Sequence, residues 1–432
     1  MDVSDKFAAR TPGETRSMTA PLRICLLGYR SDPCSGGQGI YLYYLSKALV
    51  DLGHHVDVIS GQPYPTLDPR VTLIEMPGLN LYERGLGAVS LRDFRSLTNM
   101  IEWCSKATGG FAEPQTFGRR VSAYLKAHRH AYDIIHDNQS VSYAMLSLQR
   151  LGFPLITTIH HPCSSDRRMA LAACRDWGQR LLVRRWYRFV SMQRSVARQL
   201  RHIVTVSQSA REAIEREFSL DAGRVEVVLN GIDTEVFQPD PVIVRDPNLI
   251  MSVCSSDQPL KGMGVLLRCF AILANAHPSL TLLMVGRPKP GGEADRLLDS
   301  LGIRERVICR SGLSPTEMAR AYCSAALVLV PSLYEGFGLP AGEAMACATA
   351  VVSSDGGALP EVVGDAGVLV PAGDPEALAA AASRLLAEPE RAEQLGRAAL
   401  ARIRSEFSWH TVAMKMAERY QAVRADCAHA SS

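Results

Sequence analysis

Six consecutive apolar residues, Ala325 to Val330, run into Pro331, then into a loop with Gly336 and Gly338, and then into Pro340 and a run of helix formers reaching Cys347. An apolar run of that length suits a strand buried on both faces, the habit of parallel sheets covered by helices. The first proline ends the strand. The second suits the first turn of a helix, where its missing N–H costs nothing. Strand, glycine loop and helix N-terminus in that order predict an α/β fold with a ligand site at the carboxyl edge of a sheet. Unpaired backbone N–H groups and a helix dipole favour phosphate there.

Two carboxylates bracket the loop. Glu335 precedes the glycines and Glu343 lies in the first helical turns, so phosphates held between them would leave one carboxylate at each end of the ligand. A carboxylate accepts two hydroxyl hydrogen bonds at once, which matches a vicinal diol on a ribose or a hexose. A diphosphate flanked by two sugars fits this spacing. Two glutamates eight apart, taken bare, also fit an ordinary helix start with an acidic dipole partner.

A similar unit opens the chain. Residues 1–20 are polar and aperiodic and predict a disordered tail, with Met18 as an alternative start; Leu22 to Gly28 then reads as a strand. A loop with Gly36, Gly37 and Gly39 follows, then a helix from Ile40 to Leu52 and a strand from Val56 to Ser60. The glycine order GGQG lacks the G-x-G-x-x-G spacing, which argues against a dehydrogenase. Residues 62–130 predict an irregular insertion of short amphipathic pieces. Strands are expected from Tyr132 to His136 and from Leu155 to His160, the second running into His160-His161-Pro162 at what would be a cleft edge.

From Asp166 to His202 the pattern is helical and basic, with ten arginines against two aspartates and with Trp186, Tyr187 and Phe189 among them. This suits a solvated helix face, or else an anionic membrane or a lipid-phosphate acceptor. Ile203 to Val206 and Val225 to Val228 read as strands around a helix capped by Ser207. In the second half, strands are expected at Leu249 to Cys254, Leu280 to Val285, Arg306 to Cys309 and Val351 to Ser353. Helices are expected after Lys261-Gly262, from Pro375 to Ala387, from Glu390 to Phe407 and around Trp409 to Ala425.

The segments EGFGLPAGE (Glu335 to Glu343), SDQPLKG (256–262) and NGIDTEVF resemble the retaining glycosyltransferases of family four, over roughly residues 21–425. The resemblance implies a GT-B fold, an α/β architecture of two Rossmann-like domains whose parallel sheets face a cleft. It divides the chain into an acceptor-side domain at 21–238, a linker at 239–247, a nucleotide-sugar domain at 248–408, and a closing helix and tail at 409–432. By the same resemblance Glu343 takes the ribose diol, Lys261 the diphosphate, and backbone around Leu313 the base. Gly336, Phe337, Gly338 and Leu339 take the phosphates and sugar, Glu335 the hexose hydroxyls, and Gly37 the donor phosphates from across the cleft. His160, with His161 as the alternative, lies beside the donor sugar. Family members carry an arginine where this chain has Ser255 and Ser256, and Arg287 is the nearest substitute.

The function implied is retaining hexosyl transfer from a nucleotide diphosphosugar, uridine being favoured over GDP-mannose, to a glycan, lipid-linked or small-molecule acceptor. Its rivals are an epimerase on the same fold and a weakly active nucleotide-sugar-binding subunit. Composition bears on what else the chain can do. A length of 432 residues with 47% hydrophobic content fills two cores, and a net charge of +3 argues against a nucleic-acid binder. No aspartate has another two positions away, so a D-x-D metal clamp is missing, and neither a metal nor a cofactor beyond the donor is expected. Eleven cysteines without a C-x-x-C pair, Cys25, Cys254, Cys309 and Cys347 among them, predict reduced, buried thiols. With no apolar run of transmembrane length, a cytoplasmic protein is expected, peripheral contact at the inner membrane face through residues 167–201 being the alternative to a solvated helix face.

Overall fold

The computed structural model describes residues 20–32, 37–172, 174, 176–254 and 259–429. The N-terminal tail, Gly36, Ser255 and Ser256 lie outside them. Two parallel sheets organise the molecule. The first holds β1 (Arg23–Gly28), β2 (His55–Ser60), β3 (Thr72–Glu75), β4 (Ile134–Asn138), β5 (Leu155–Thr158), β6 (Ile203–Thr205) and β7 (Glu226–Val227), in the order β3-β2-β1-β4-β5-β6-β7. The second holds β8 (Asp246–Val253), β9 (Thr281–Val285), β10 (Val307–Arg310), β11 (Ala325–Val330), β12 (Ala350–Ser354) and β13 (Val368–Val370), in the order β10-β9-β8-β11-β12-β13. In each sheet the strand order reverses beside the first strand, between β1 and β4 and between β8 and β11, and a crevice opens at such a switch point.

The central strands are apolar on both faces because both faces are covered. In the first sheet Ile24 and Leu26 pack towards the helix Gln38–Asp51, while Cys25 and Leu27 pack with Phe117, Val121 and Leu125 of the helix Glu113–Ala127. In the second, Leu327 and Leu329 join Leu266, Phe270 and Leu378, while Val328 and Val330 join Tyr322, Ala341 and Met345. The last helix, Trp409–His429, returns to the first sheet and completes its core with Val412, Met416, Tyr420 and Val423. At its seam the buried His136 bonds Tyr420 Oη at 2.7 Å through Nδ1 and Thr158 Oγ1 at 2.6 Å through Nε2.

The region 62–130 is more regular than its sequence suggests, with β3 and the helices Leu97–Ala107 and Glu113–Ala127. Strand β5 ends at Thr158, so His160 stands two residues beyond it, and β8 begins at Asp246, inside the stretch read as linker. Cys25, Cys254 and Cys347 are buried, whereas Cys309 is only half-buried and Cys104 is exposed; all the described cysteines are free thiols. Among the described residues no helix is long and apolar enough to cross a membrane.

Candidate active site

The crevice between the two sheets is a cleft of about 720 Å³. Its first-domain wall carries Gly37, Tyr41, Tyr44, His160 and His161, and its second-domain wall Leu313, Met318, Gly336, Phe337, Leu339 and Glu343. Seven of the residues singled out in the sequence for donor contacts therefore share one cavity: Gly37, His160, Leu313, Gly336, Phe337, Leu339 and Glu343. Gly37 is the N-cap of Gln38–Asp51 at φ +72°, a left-handed conformation suited to glycine, and a Cβ there would meet nothing within 4 Å. The turn explains the residue, and the open side leaves room for a ligand.

Lys261, Glu335 and Gly338 do not line the cavity but stand directly beside it. Gly262 adopts φ +67° and packs against the Pro331 carbonyl so closely that a Cβ would overlap it. That close approach lays Lys261 over the loop that follows β11. Lys261 Nζ donates to Glu335 Oε1 at 2.8 Å, and Ser332 Oγ donates to the same oxygen at 2.8 Å. The cation assigned to the diphosphate and the carboxylate assigned to the sugar are thus ion-paired. Gly338 caps the helix Leu339–Ala346, whose N-terminus faces the cleft through Leu339 and whose Glu343 lies one turn in.

Glu343 is half-buried and accepts a hydrogen bond from Tyr322 Oη at 3.0 Å. Desolvation pushes its carboxyl up to about 7; the Asp233 charge adds to this and the Tyr322 hydroxyl opposes it. Asp233 itself accepts from Tyr44 Oη at 2.9 Å, and Tyr44 stacks on Trp409 with ring centres 5.5 Å apart. On the opposite wall, burial drives the His160 imidazole down to about 3, so it is neutral. Its Nε2 lies 2.6 Å from Asn138 Oδ1, whose amide nitrogen is turned to the Gln38 carbonyl. Nε2 therefore carries the proton and Nδ1 is left as an acceptor. His161 is half-exposed and pairs with Asp166 at 3.3 Å. Burial disfavours its imidazolium, but the hydrogen bonds and charges of Asp166 and Cys163 outweigh that and raise its pKa.

Sequence reasoning missed several residues of this site. Gln139, at φ +62°, accepts from His160 N–H at 2.9 Å and donates to His161 O at 3.2 Å, fixing the histidine pair. Nothing in its sequence context marks it. Tyr41, 4.7 Å edge-to-face from His160, and Tyr44 read as ordinary apolar positions of a helix. Arg287 is exposed and is not among the cleft-lining residues. For a metal, the described residues offer one mixed trio, His161, Cys163 and Asp166, with ligand atoms within 4.8 Å of one another.

Residues 35–236 match the family model described as Glycosyltransferase Family 4, and residues 247–388 match that of Glycosyl transferases group 1. The MMP alpha-(1→4)-mannosyltransferase of Mycolicibacterium hassiacum is 42% identical, over 93% of this chain and 98% of its own length. The D-inositol 3-phosphate glycosyltransferase 2 of Catenulispora acidiphila is 30% identical, over 93% of this chain and 95% of its own. Among solved structures, sucrose-phosphate synthase from Thermosynechococcus elongatus superposes with a TM-score of 0.68 at 24% identity, covering 94% of this chain and 100% of that one. Two facing parallel sheets form the GT-B architecture expected from the sequence. The chain belongs to glycosyltransferase family four, the group 1 glycosyl transferases.

Proposed function

We propose that this glycosyltransferase moves mannose from a nucleoside diphosphomannose to a hydroxyl of a glycan acceptor, with retention, forming an α-(1→4) link. The sugar and the linkage come from the name of the Mycolicibacterium relative, and the 42% identity over nearly both whole chains is the observation that carries them. That name does not include the base. Uridine is favoured from the sequence alone, whereas guanosine is the base taken here as the partner of mannose, and the donor panel below decides between them.

Each residue's chemistry suits a step of this reaction. Glu343 accepts the ribose diol, and the N-terminus of Leu339–Ala346 with Lys261 takes charge from the diphosphate as the bond to the sugar breaks. The leaving phosphate oxygen takes the acceptor's proton while the acceptor oxygen bonds the anomeric carbon from the same face, so no side chain becomes a nucleophile. Neutral His160 cannot serve as a general acid. Its free Nδ1 suits a hydroxyl of the transferred sugar, across the cleft from Glu335. The loss of a family arginine at Ser255 and Ser256 leaves Lys261 as the principal cation, and catalysis proceeds without a metal.

Peripheral membrane contact is part of this proposal. The helix Trp177–Trp186 buries none of its described residues; Trp177 is 81% exposed and Leu181 and Leu182 are 59% exposed, beside Arg184 and Arg185. An apolar ridge flanked by arginines suits an anionic surface.

The test is a thermal-shift panel of GDP-mannose, GDP, UDP-glucose and UDP, followed by transfer to a mannooligosaccharide with linkage analysis of the product. GDP-mannose should raise the melting temperature most. A product linked other than α-(1→4), or donor consumption without acceptor, refutes the reading.

A further inference from the structure

The first turn of the helix Gln208–Phe218, which follows β6 in the first domain, is capped partly from the other domain. Within its own chain segment, Ser207 Oγ accepts from Ala210 N–H at 3.0 Å, and Arg211 N–H bonds Ser207 O at 3.0 Å. The other two N–H groups of the turn cross the cleft. Gln208 N–H donates to Glu361 Oε2 at 2.5 Å and Ser209 N–H to Glu361 Oε1 at 2.7 Å. One carboxylate, from the short helix Leu359–Val363 of the second domain, thereby takes two of the donors that a helix start leaves without an intrahelical partner, where the dipole favours negative charge. Ser207 Oγ also donates to Gly336 O at 2.9 Å, the carbonyl next to Glu335.

The connection from Glu361 to Glu335 is stiff. Arg402 donates to the Glu361 and Val362 carbonyls at 2.8 and 3.0 Å. Upstream of Leu359, Glu335 and Gly357 form a parallel bridge: Ala358 N–H donates to Glu335 O at 2.9 Å and Glu335 N–H to Gly356 O at 3.3 Å. The start of the Gln208 helix is therefore tied to the Glu335–Gly336 loop by two routes, one through the Ser207 hydroxyl and one through the Glu361 carboxylate. Strand β6, which leads into that helix, is paired with β5, which leads to His160.

We propose that Glu361 is a positioning residue, a latch between the domains that sets His160 against Glu335 when the cleft is closed. It deepens the reading of the Glu335–Leu339 loop as the donor site and rests on it. When the domains part, the carboxylate and the two N–H groups must exchange each other for water. Closure and the placing of Glu335 are thus one event rather than two.

The variant that tests this is Glu361→Gln, which keeps the shape but presents an NH₂ to one of the two N–H donors. Small-angle X-ray scattering of the full chain without ligand should show a larger radius of gyration than the parent. With GDP-mannose and a mannooligosaccharide as the probe pair, kcat should fall by roughly 10–100-fold, as expected when two charge-assisted hydrogen bonds are lost. GDP binding should stay near the parent's, and Glu361→Asp should recover part of kcat, which a purely structural role would not produce. A Glu361→Gln chain that folds with the parent's radius of gyration overturns the latch, whatever its activity. If the probe pair gives no turnover even with the parent, the donor reading has failed, and scattering still decides the latch.

Discussion

Glu343 should be a residue that function keeps at the expense of stability. Its carboxyl titrates near 7 in the folded protein against an ordinary 4.5, because desolvation and the Asp233 charge disfavour the anion more than the Tyr322 hydroxyl favours it. For an acid with a raised folded pKa, the cost of ionisation is absent below the unfolded value and complete above the folded one. Folding stability thus falls as pH rises from 4.5 to about 7. That difference corresponds to about 3 kcal/mol at pH 8. Glu343→Gln removes the charge and keeps a carbonyl oxygen for the Tyr322 hydroxyl. The variant should be more stable than the parent at pH 8 by up to about 3 kcal/mol, or roughly 6–10 °C in melting temperature for a domain of this size. At pH 4.5 the two should agree. Denaturant unfolding of both chains at the two pH values measures this directly. Nucleotide binding should move the opposite way: parent affinity for GDP should rise with pH through about 7 as the ribose acceptor ionises, and the Gln variant should bind weakly throughout. A Gln variant less stable than the parent at pH 8, or equally shifted at both pH values, refutes the reasoning.

Further outcomes follow from the same geometry. Glu335→Ala should cost roughly a hundredfold or more in transfer while leaving GDP affinity nearly intact, if Glu335 holds the sugar as proposed; isothermal titration of GDP checks the second half, and parallel loss of GDP binding would misplace it. Lys261→Ala should abolish turnover and destabilise the chain by about 1–3 kcal/mol, since it strips the buried Glu335 carboxylate of its cation. Turnover of the parent should persist in excess chelator, and a chelator that stops it defeats the metal-free mechanism. Reversing Arg184 and Arg185 to glutamate should weaken binding to acidic liposomes at low salt by about 1 kcal/mol or more per charge; co-sedimentation that gives the parent no preference for acidic over neutral vesicles returns this helix to a solvated face.

How far the fold can be read from the sequence varies with what each residue buries. Strand β11 matches its expected bounds because six apolar residues meet a proline. The helix Pro375–Ala387 matches because Asp374 caps it, its side chain accepting from Ala377 N–H at 2.8 Å. The region 62–130 misleads because its helices bury charge. Glu102 is 6% exposed, paired with Arg120 at 2.6 Å and bonded by Leu79 N–H at 2.9 Å, so a polar residue occupies a core-facing position and the apolar period breaks. The helix Pro315–Ser324 has its start marked in the sequence by a capping box between Ser314 and Glu317. For the candidate site, the strand, glycine loop and helix start that place Gly336, Leu339 and Glu343 on the cleft were legible because they are local backbone features. Gln139, Tyr44 and Trp409 were not, because their roles arise from contacts between elements far apart in the chain.

The return of the last helix to the first domain sets an order on biosynthesis. Trp409, Val412, Met416, Tyr420 and Val423 fill a core whose other half, Leu22, Ile24, Leu26 and Leu42, leaves the ribosome first. Between Val227, where the last strand of the first sheet ends, and the emergence of that helix, roughly 200 residues must be made, about 10–40 s at ordinary elongation rates. Through that interval the apolar face that the last helix covers in the folded chain stands uncovered. A truncation before Trp409, or a bulky insertion within Trp409–His429, would therefore act on the core of the first domain.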